Sequence, residues 1–145
     1  MDTTVVGVDG SEASGVALEF AVEEAVRRKG SLRVLSTWEL PAMAQPEMAV
    51  TPEVVDVYAQ QANAIVDEAV ARAGELQPDL PCEGISRAGY AGDILVEEAH
   101  EASLLVVGRR GEGALSHLLL GSVSRHVADH APCPVTIVPP LSGRK

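Results

Sequence analysis

The sequence predicts an α/β fold: a single domain on a doubly wound sheet of five mainly parallel strands, with helices on both faces. Three observations carry that prediction. Short apolar runs alternate with segments of helical period four times and then close on a fifth apolar run, the pattern of a parallel sheet with crossover helices. The hydrophobic fraction is 46% while aromatics supply only 3%, so the core is built from Val, Leu, Ile and Ala, which suits strands buried on both faces. The length, 145 residues, fits one domain and leaves little room for two.

Each element has its own warrant. Residues 3–8 contain the run Val5-Val6-Gly7-Val8, which ends at Asp9-Gly10 and predicts the first strand. Ser11 is placed to cap a helix in which Ala13, Ala17, Phe20, Ala21 and Ala25 recur at helical spacing. Arg27, Arg28 and Lys29 suit the C-terminal end of its dipole, and Gly30 is the expected stop. Leu32 to Thr37 predict a second strand, and residues 38–50, with Pro41 and Pro46 and no clear period, a loop. Thr51-Pro52-Glu53 starts a long helix with a capping hydroxyl, a proline at the first position and an early acid. Tyr58, Ala62, Ile65, Ala69, Ala73 and Leu76 mark its inner face, and "QPDLP" breaks it. Cys82 to Arg87 predict a third strand, Ala91 to Glu101 a helix with Ile94, Leu95 and Ala99 facing inward, and Ser103 to Val107 a fourth strand. Ser122 is placed to cap a helix running to His130, and Pro134 to Val138 predict the last strand. The prolines at 132, 134, 139 and 140 suit a strand at the sheet edge. Right-handed crossovers restrict the topology; a flavodoxin-like order is one common solution, and the pattern admits others. Residues 1–140 form the domain and 141–145, "LSGRK", a short tail.

Composition bounds the function. The net charge of −10 repels phosphate backbones and anionic bilayers, which argues against nucleic-acid and membrane partners. No apolar run reaches membrane-helix length, and "MDTTVVGVDG" lacks the basic start and apolar stretch of a signal peptide, so the expected location is cytoplasmic. In that reducing compartment Cys82 and Cys133 are read as two small buried residues rather than a disulfide.

The most informative stretch is "GRRGEGALSHLLLGS", Gly108 to Ser122, directly after the buried run Leu104-Leu105-Val106-Val107. Strand-to-helix connections in such folds usually take about 2–6 residues, and this one is longer. In open α/β sheets ligands bind beyond the C-terminal strand ends, where the strand order reverses. If the first and fourth strands are neighbours there, Asp9-Gly10 and the glycine loop face one crevice. Glycine permits positive φ and lets backbone N–H groups approach a ligand, and the helix opening at Gly121-Ser122 favours an anion. That is the chemistry of a phosphate cradle. It lacks the Gly-Lys-Ser/Thr of a P-loop, since the two lysines are Lys29 and Lys145, and it lacks the third glycine of a dinucleotide fingerprint. Arg109, Arg110 and Arg125 are the local sources of positive charge. The alternative is a plain surface loop.

The spacing is more specific. Gly108, two residues, Gly111, nine residues, then Gly121 and Ser122 resemble the G-2x-G-9x-G-[S/T] motif of the universal stress protein family, in its ATP-binding branch. "VVGVDGS", "GDILVEEAHEASLLVVG" and "LLLGSVSRHVADHAPCPVTIVP" resemble the family's opening strand, its third helix with fourth strand, and its closing segment. The likeness covers nearly the whole chain, least clearly residues 40–82. It implies the same flavodoxin/Rossmann-like fold and an ATP site, with Mg²⁺. Carried over by position, Gly108, Gly111, Gly121 and Ser122 would hold ribose and phosphates, Val123 would add a backbone contact, Asp9 would lie by the nucleoside and Thr37 beside the adenine. It also implies a homodimer paired through the last strand, Val135, Thr136, Ile137 and Val138, whose open edge would invite association anyway. Arg109 departs from the pattern, standing where the family usually has a small or hydroxyl residue; its side chain would add a phosphate contact or narrow the pocket mouth.

Other candidates have plainer accounts. Asp9 is also a natural turn residue after a strand. His126 and His130 share a helix face at metal-binding spacing, but no Glu follows His126 as in the zinc-protease pattern, and surface histidines near a helix C-terminus are simpler. His117 would touch phosphate or be solvated, and Leu118 to Leu120 would pin the loop to the body. Three functions follow: an ATP-binding stress-response regulator read by an unknown protein partner; a slow ATPase or phosphate transferase with Asp9 as the only evident base; or a nucleotide-free interaction module whose glycines serve loop shape alone.

Overall fold

The computed structural model describes residues 2–40, 51–109 and 120–140. Residues 41–50 of the expected loop at 38–50, Arg110, Gly111, His117, Leu118, Leu119 and the tail lie outside those residues. Nine elements follow one another: β1 (Thr3–Gly7), α1 (Glu12–Arg27), β2 (Ser31–Trp38), α2 (Pro52–Leu76), β3 (Cys82–Ala88), α3 (Ala91–Ala99), β4 (Leu104–Gly108), α4 (Ser122–His130) and β5 (Val135–Val138). Each expected element exists, with ends displaced by a residue or two.

The five strands form one sheet in the order β3-β2-β1-β4-β5, and every neighbouring pair is parallel. A flavodoxin-like order would put β3 between β1 and β4. Here β3 lies outside β2 instead, and β1 pairs with β4 through Thr4, Val5 and Val6 against Leu104, Leu105 and Val106. The chain runs outward from β1 to β3 and then returns across the sheet to β4, so the order reverses between β1 and β4. β5 is an edge strand, as its flanking prolines predicted.

Alternation along the strands sorts the core into two clusters. Val6, Leu32, Val34, Leu104 and Val106 face α1 and α2, packing on Ala17, Leu18, Ala21, Val22 and Ala73. Val5, Leu35, Leu105 and Val107 face α3 and α4, packing on Ile94, Leu95, Ala99 and Val127. Strands buried on both sides explain why they read as continuous apolar runs. On α2 the inward set includes Val66, which the expected face omitted. Arg33 on β2 bonds Glu83 on β3 at 2.6 Å and Glu98 on α3 at 3.0 Å, and Arg87 bonds Glu98 at 3.2 Å, tying α3 to that side of the sheet.

Local capping follows the sequence at Ser11 and Thr51 and departs from it at the end of α1. Ser11 caps α1 by accepting from the Ser14 N–H at 3.2 Å, and Thr51 caps α2 by accepting from the Val54 N–H at 3.3 Å. At the end of α1, Lys29 rather than Gly30 takes the left-handed conformation, with φ 57°. Gly30 is needed for space: a Cβ there would run into the Asp2 carbonyl. Among the described residues no helix is long and apolar enough to cross a membrane. Cys82 and Cys133 are free thiols, each only partly buried.

Candidate functional site

The site begins where β1 ends. Val8 continues the ladder, donating its N–H to the Leu35 carbonyl at 2.9 Å, and the chain then turns at Asp9-Gly10. Gly10 adopts φ 83°, which an L side chain rarely takes. Asp9 Oδ1 accepts from both the N–H (2.9 Å) and the hydroxyl of Ser11, and the Asp9 N–H donates to Ser14 Oγ at 3.3 Å. Asp9 is therefore a turn-forming aspartate, as its plainer account expected, and it remains an exposed carboxylate at the C-terminal end of the sheet. Thr37, half-buried, is the penultimate residue of β2 and pairs with Arg87. Because β2, β1 and β4 are parallel neighbours, Thr37, Asp9 and Gly108 all sit at the same end of the sheet.

Gly108 ends β4 against the first turn of α1. A Cβ on it would lie 3.2 Å from the Ala13 carbonyl oxygen and 3.3 Å from the carbonyl carbon. The tip of β4 and the helix that follows Asp9 therefore touch, which puts Gly108 beside the first turn of α1 at the C-terminal end of the sheet. Gly108 has a packing reason to be glycine, and positive φ is not that reason, since Gly10 and Gly89 are the described glycines with positive φ.

The next residue fixes the long connection. The Arg109 N–H donates to the Val138 carbonyl at 2.9 Å. The Arg109 carbonyl accepts from the Gly121 N–H at 2.8 Å and from Ser124 Oγ at 2.6 Å. Both ends of the 110–120 segment are thus held at one carbonyl. The expected cap at Ser122 is corrected here: α4 begins at Ser122, its N-cap is Gly121 (φ −76°, ψ 173°), and among the described residues no side chain caps it. Ser122 is exposed, and Val123 packs partly into the α3/α4 cluster. The first N–H groups of a helix have no intrahelical acceptor, so this uncapped end presents donors and positive potential at the β4 tip.

Ser124 escaped the sequence reading. It is 2% exposed and lies three residues before Val127, on the buried side of α4. A hydroxyl on an apolar helix face needs an internal partner, and that was the available signal. His126 and His130 are engaged with each other and with α3 and its N-cap. His126 Nε2 lies 3.1 Å from Asp93 Oδ1, its ring meets Tyr90 edge-on, and it stacks on His130 with ring centres 4.4 Å apart. Among the described residues no group of three His, Cys, Asp or Glu side chains is arranged to hold a metal ion. A cleft of about 230 Å³ opens on the other flank of the Asp9 turn, lined by Val8, Ser11, Ser14, Leu18, Ile65 and Arg72 among others. Its described walls come from β1, α1 and α2, with none from β4 or α4.

Residues 1–139 match the family model described as the universal stress protein family. The chain belongs to that family. This universal stress protein is 34% identical over 139 residues to one from Mycolicibacterium smegmatis, an alignment covering 94% of this chain and 45% of that one. It spans about half the length of the curated relatives it matches. A solved universal stress protein in complex with cAMP superposes with a TM-score of 0.72 at 33% identity, covering 94% of this chain and 96% of that one. The universal stress protein from Archaeoglobus fulgidus in complex with dAMP superposes with a TM-score of 0.69 at 24% identity, covering 95% and 98%; at that identity it speaks for the shared fold alone.

Proposed function

We propose that this chain is a cytoplasmic regulatory domain that binds an adenine nucleotide, ATP with Mg²⁺, across the ends of β1 and β4. On this reading, occupancy orders the segment between Arg109 and Gly121 and changes a surface that a protein partner reads. The observation that carries it is the shared anchorage at the strand-order reversal: the Arg109 carbonyl holds Gly121 and Ser124, and Gly108 packs on Ala13 beside the Asp9 turn. The donor set fits an anion. The uncapped N-terminus of α4 offers Ser122 and Val123 N–H groups to phosphates, and Ser122 adds an exposed hydroxyl. Asp9 supplies the carboxylate oxygen that a phosphate-bound Mg²⁺ favours, and Thr37 borders the base. Gly111 would complete the cradle. The cAMP complex of the relative at 33% identity supports an adenine ligand.

Gly121 sharpens the test. Its φ of −76° is open to any residue, so backbone freedom does not explain the glycine, whereas close approach of a phosphate does. Gly121→Val should fold, keep its N–H bond to Arg109 and lose the ligand. Calorimetric titration of nucleotide-stripped protein with ATP and Mg²⁺ should show saturable binding by the parent and none by the variant. A folded parent that binds nothing would overturn the reading.

One observation favours the nucleotide-free module: the contact of Gly108 with Ala13 accounts for that glycine without any ligand. The same titration separates the two readings. The proposed homodimer would pair β5 strands, because β5 has only β4 beside it in the sheet. Sedimentation of the parent as a monomer at micromolar concentration would count against it.

A further inference from the structure

We infer that Arg109 sets which adenine nucleotide the site prefers, by giving a multiply charged phosphate a cation that belongs to the protein. The inference rests on the nucleotide reading above and goes beyond it, because it makes phosphate charge the selected property.

The first argument is the pairing of the arginines. Arg27, Arg28, Arg33, Arg72 and Arg87 each lie within ion-pair distance of a carboxylate. With 21 acidic residues against 11 basic ones, partners are abundant. Arg109, like the exposed Arg125, nevertheless has no carboxylate in range among the described residues. It also carries a buried Nε without a hydrogen-bond acceptor there. A buried donor left unsatisfied is destabilising, more so when charged; Asp2 Oδ1 and Thr4 Oγ1 are the other such atoms among the described residues, and Arg109 is the one cationic side chain of the three.

The second argument is position. Both backbone polar groups of Arg109 are committed, the N–H to Val138 and the carbonyl to Gly121 and Ser124. The base of the side chain is therefore fixed at the β4 tip, next to the uncapped start of α4. The backbone of an arginine and a helix N-terminus are thus joined at one place in an acidic protein. A planar guanidinium matches phosphate oxygens in a two-pronged geometry that an ammonium cannot reproduce. The acceptor that fits is a phosphate carrying more than one negative charge. ATP and AMP satisfy that description, a cyclic diester satisfies it less well, and adenosine does not.

Affinities of the parent, Arg109→Met and Arg109→Lys for ATP, AMP, cAMP and adenosine test the inference, with thermal melts confirming that each is folded. Arg109→Met keeps a long apolar stem in the same place, so its packing survives. The expected result is a loss of about 10- to 100-fold for ATP, the worth of one hydrogen bond to a charged group. The loss should be smaller for cAMP and absent for adenosine, with partial recovery in Arg109→Lys. Equal losses for all four ligands would make Arg109 a general support and overturn the inference. So would unchanged ATP binding by Arg109→Met, while leaving the nucleotide reading in place. A parent that binds no nucleotide overturns both.

Discussion

The hydroxyl of Ser124 donates to the carbonyl oxygen of Arg109 at 2.6 Å, from a position 2% exposed. This bond joins the first turn of α4 to the tip of β4 across fifteen residues of chain. Ser124→Ala removes one of the two donors to that carbonyl and leaves the Gly121 N–H in place. The expected cost is about 1 kcal/mol, since the acceptor stays satisfied. Hydrogen exchange at the Gly121 amide should speed up, and ATP affinity should fall with it. A variant with parental exchange at Gly121 would show that the bond does not hold the segment.

Gly108→Ala separates a packing role from a ligand role. The new Cβ would press on the backbone carbonyl of Ala13 at 3.2 Å, and a helix backbone cannot swing aside as a flexible side chain can. Overpacking of this kind typically costs about 1–3 kcal/mol. The urea midpoint should therefore drop with no nucleotide present. A parental midpoint with lost binding would return Gly108 to a purely ligand-facing role.

The two thiols predict an alkaline dependence. Burial raises the Cys82 thiol above its ordinary value, and the charge of Glu83 pushes the same way. Burial also raises Cys133, against a backbone hydrogen bond from Leu105 that lowers it. The folded chain thus keeps these protons to higher pH than the unfolded chain does. Their contribution to stability is complete below the ordinary thiol pKa, about 8.5, and is lost as pH rises through the folded value. The double variant Cys82→Ala, Cys133→Ala should lose less stability than the parent between about pH 8 and pH 10. At about pH 8 both thiols should react with iodoacetamide more slowly than glutathione does. Alkylation at the free-thiol rate would contradict the burial account.

Local chemistry made most of the fold legible. Apolar runs such as Leu104 to Val107 and caps such as Ser11 and Thr51 depend on neighbours in sequence, and each is found where expected. The strand order was not legible. Whether β3 lies beside β1 or outside β2 depends on where the crossovers land, which no local period encodes. The same limit applied at the site. Gly108 and Gly121 announce themselves by spacing, Asp9 by its place after the first apolar run, and Thr37 only through the family resemblance; the parallel neighbours β2, β1 and β4 put Thr37, Asp9 and Gly108 at one end of the sheet. Ser124 gave no such signal, because its importance comes from a carbonyl fifteen residues away. The cap of α4 lies one residue earlier than expected, at Gly121 instead of Ser122, where the Gly121 N–H is held by the Arg109 carbonyl.

The sheet divides the interior into two compartments, and this has an energetic consequence. Leu18 belongs to the cluster under α1 and α2, and Val127 to the cluster under α3 and α4; no buried residue is common to both. Void volume opened beneath one pair of helices cannot be relieved by side chains beneath the other. Damage on the two sides should therefore add as independent sums, to within about 0.3–0.5 kcal/mol, as it does for well-separated positions elsewhere. Sequence drift beneath α2 and the body of α1 is then tolerated largely independently of α4, while the first turn of α1, where Ala13 meets Gly108, stays tied to the crevice; this family member has two separate margins of stability to spend.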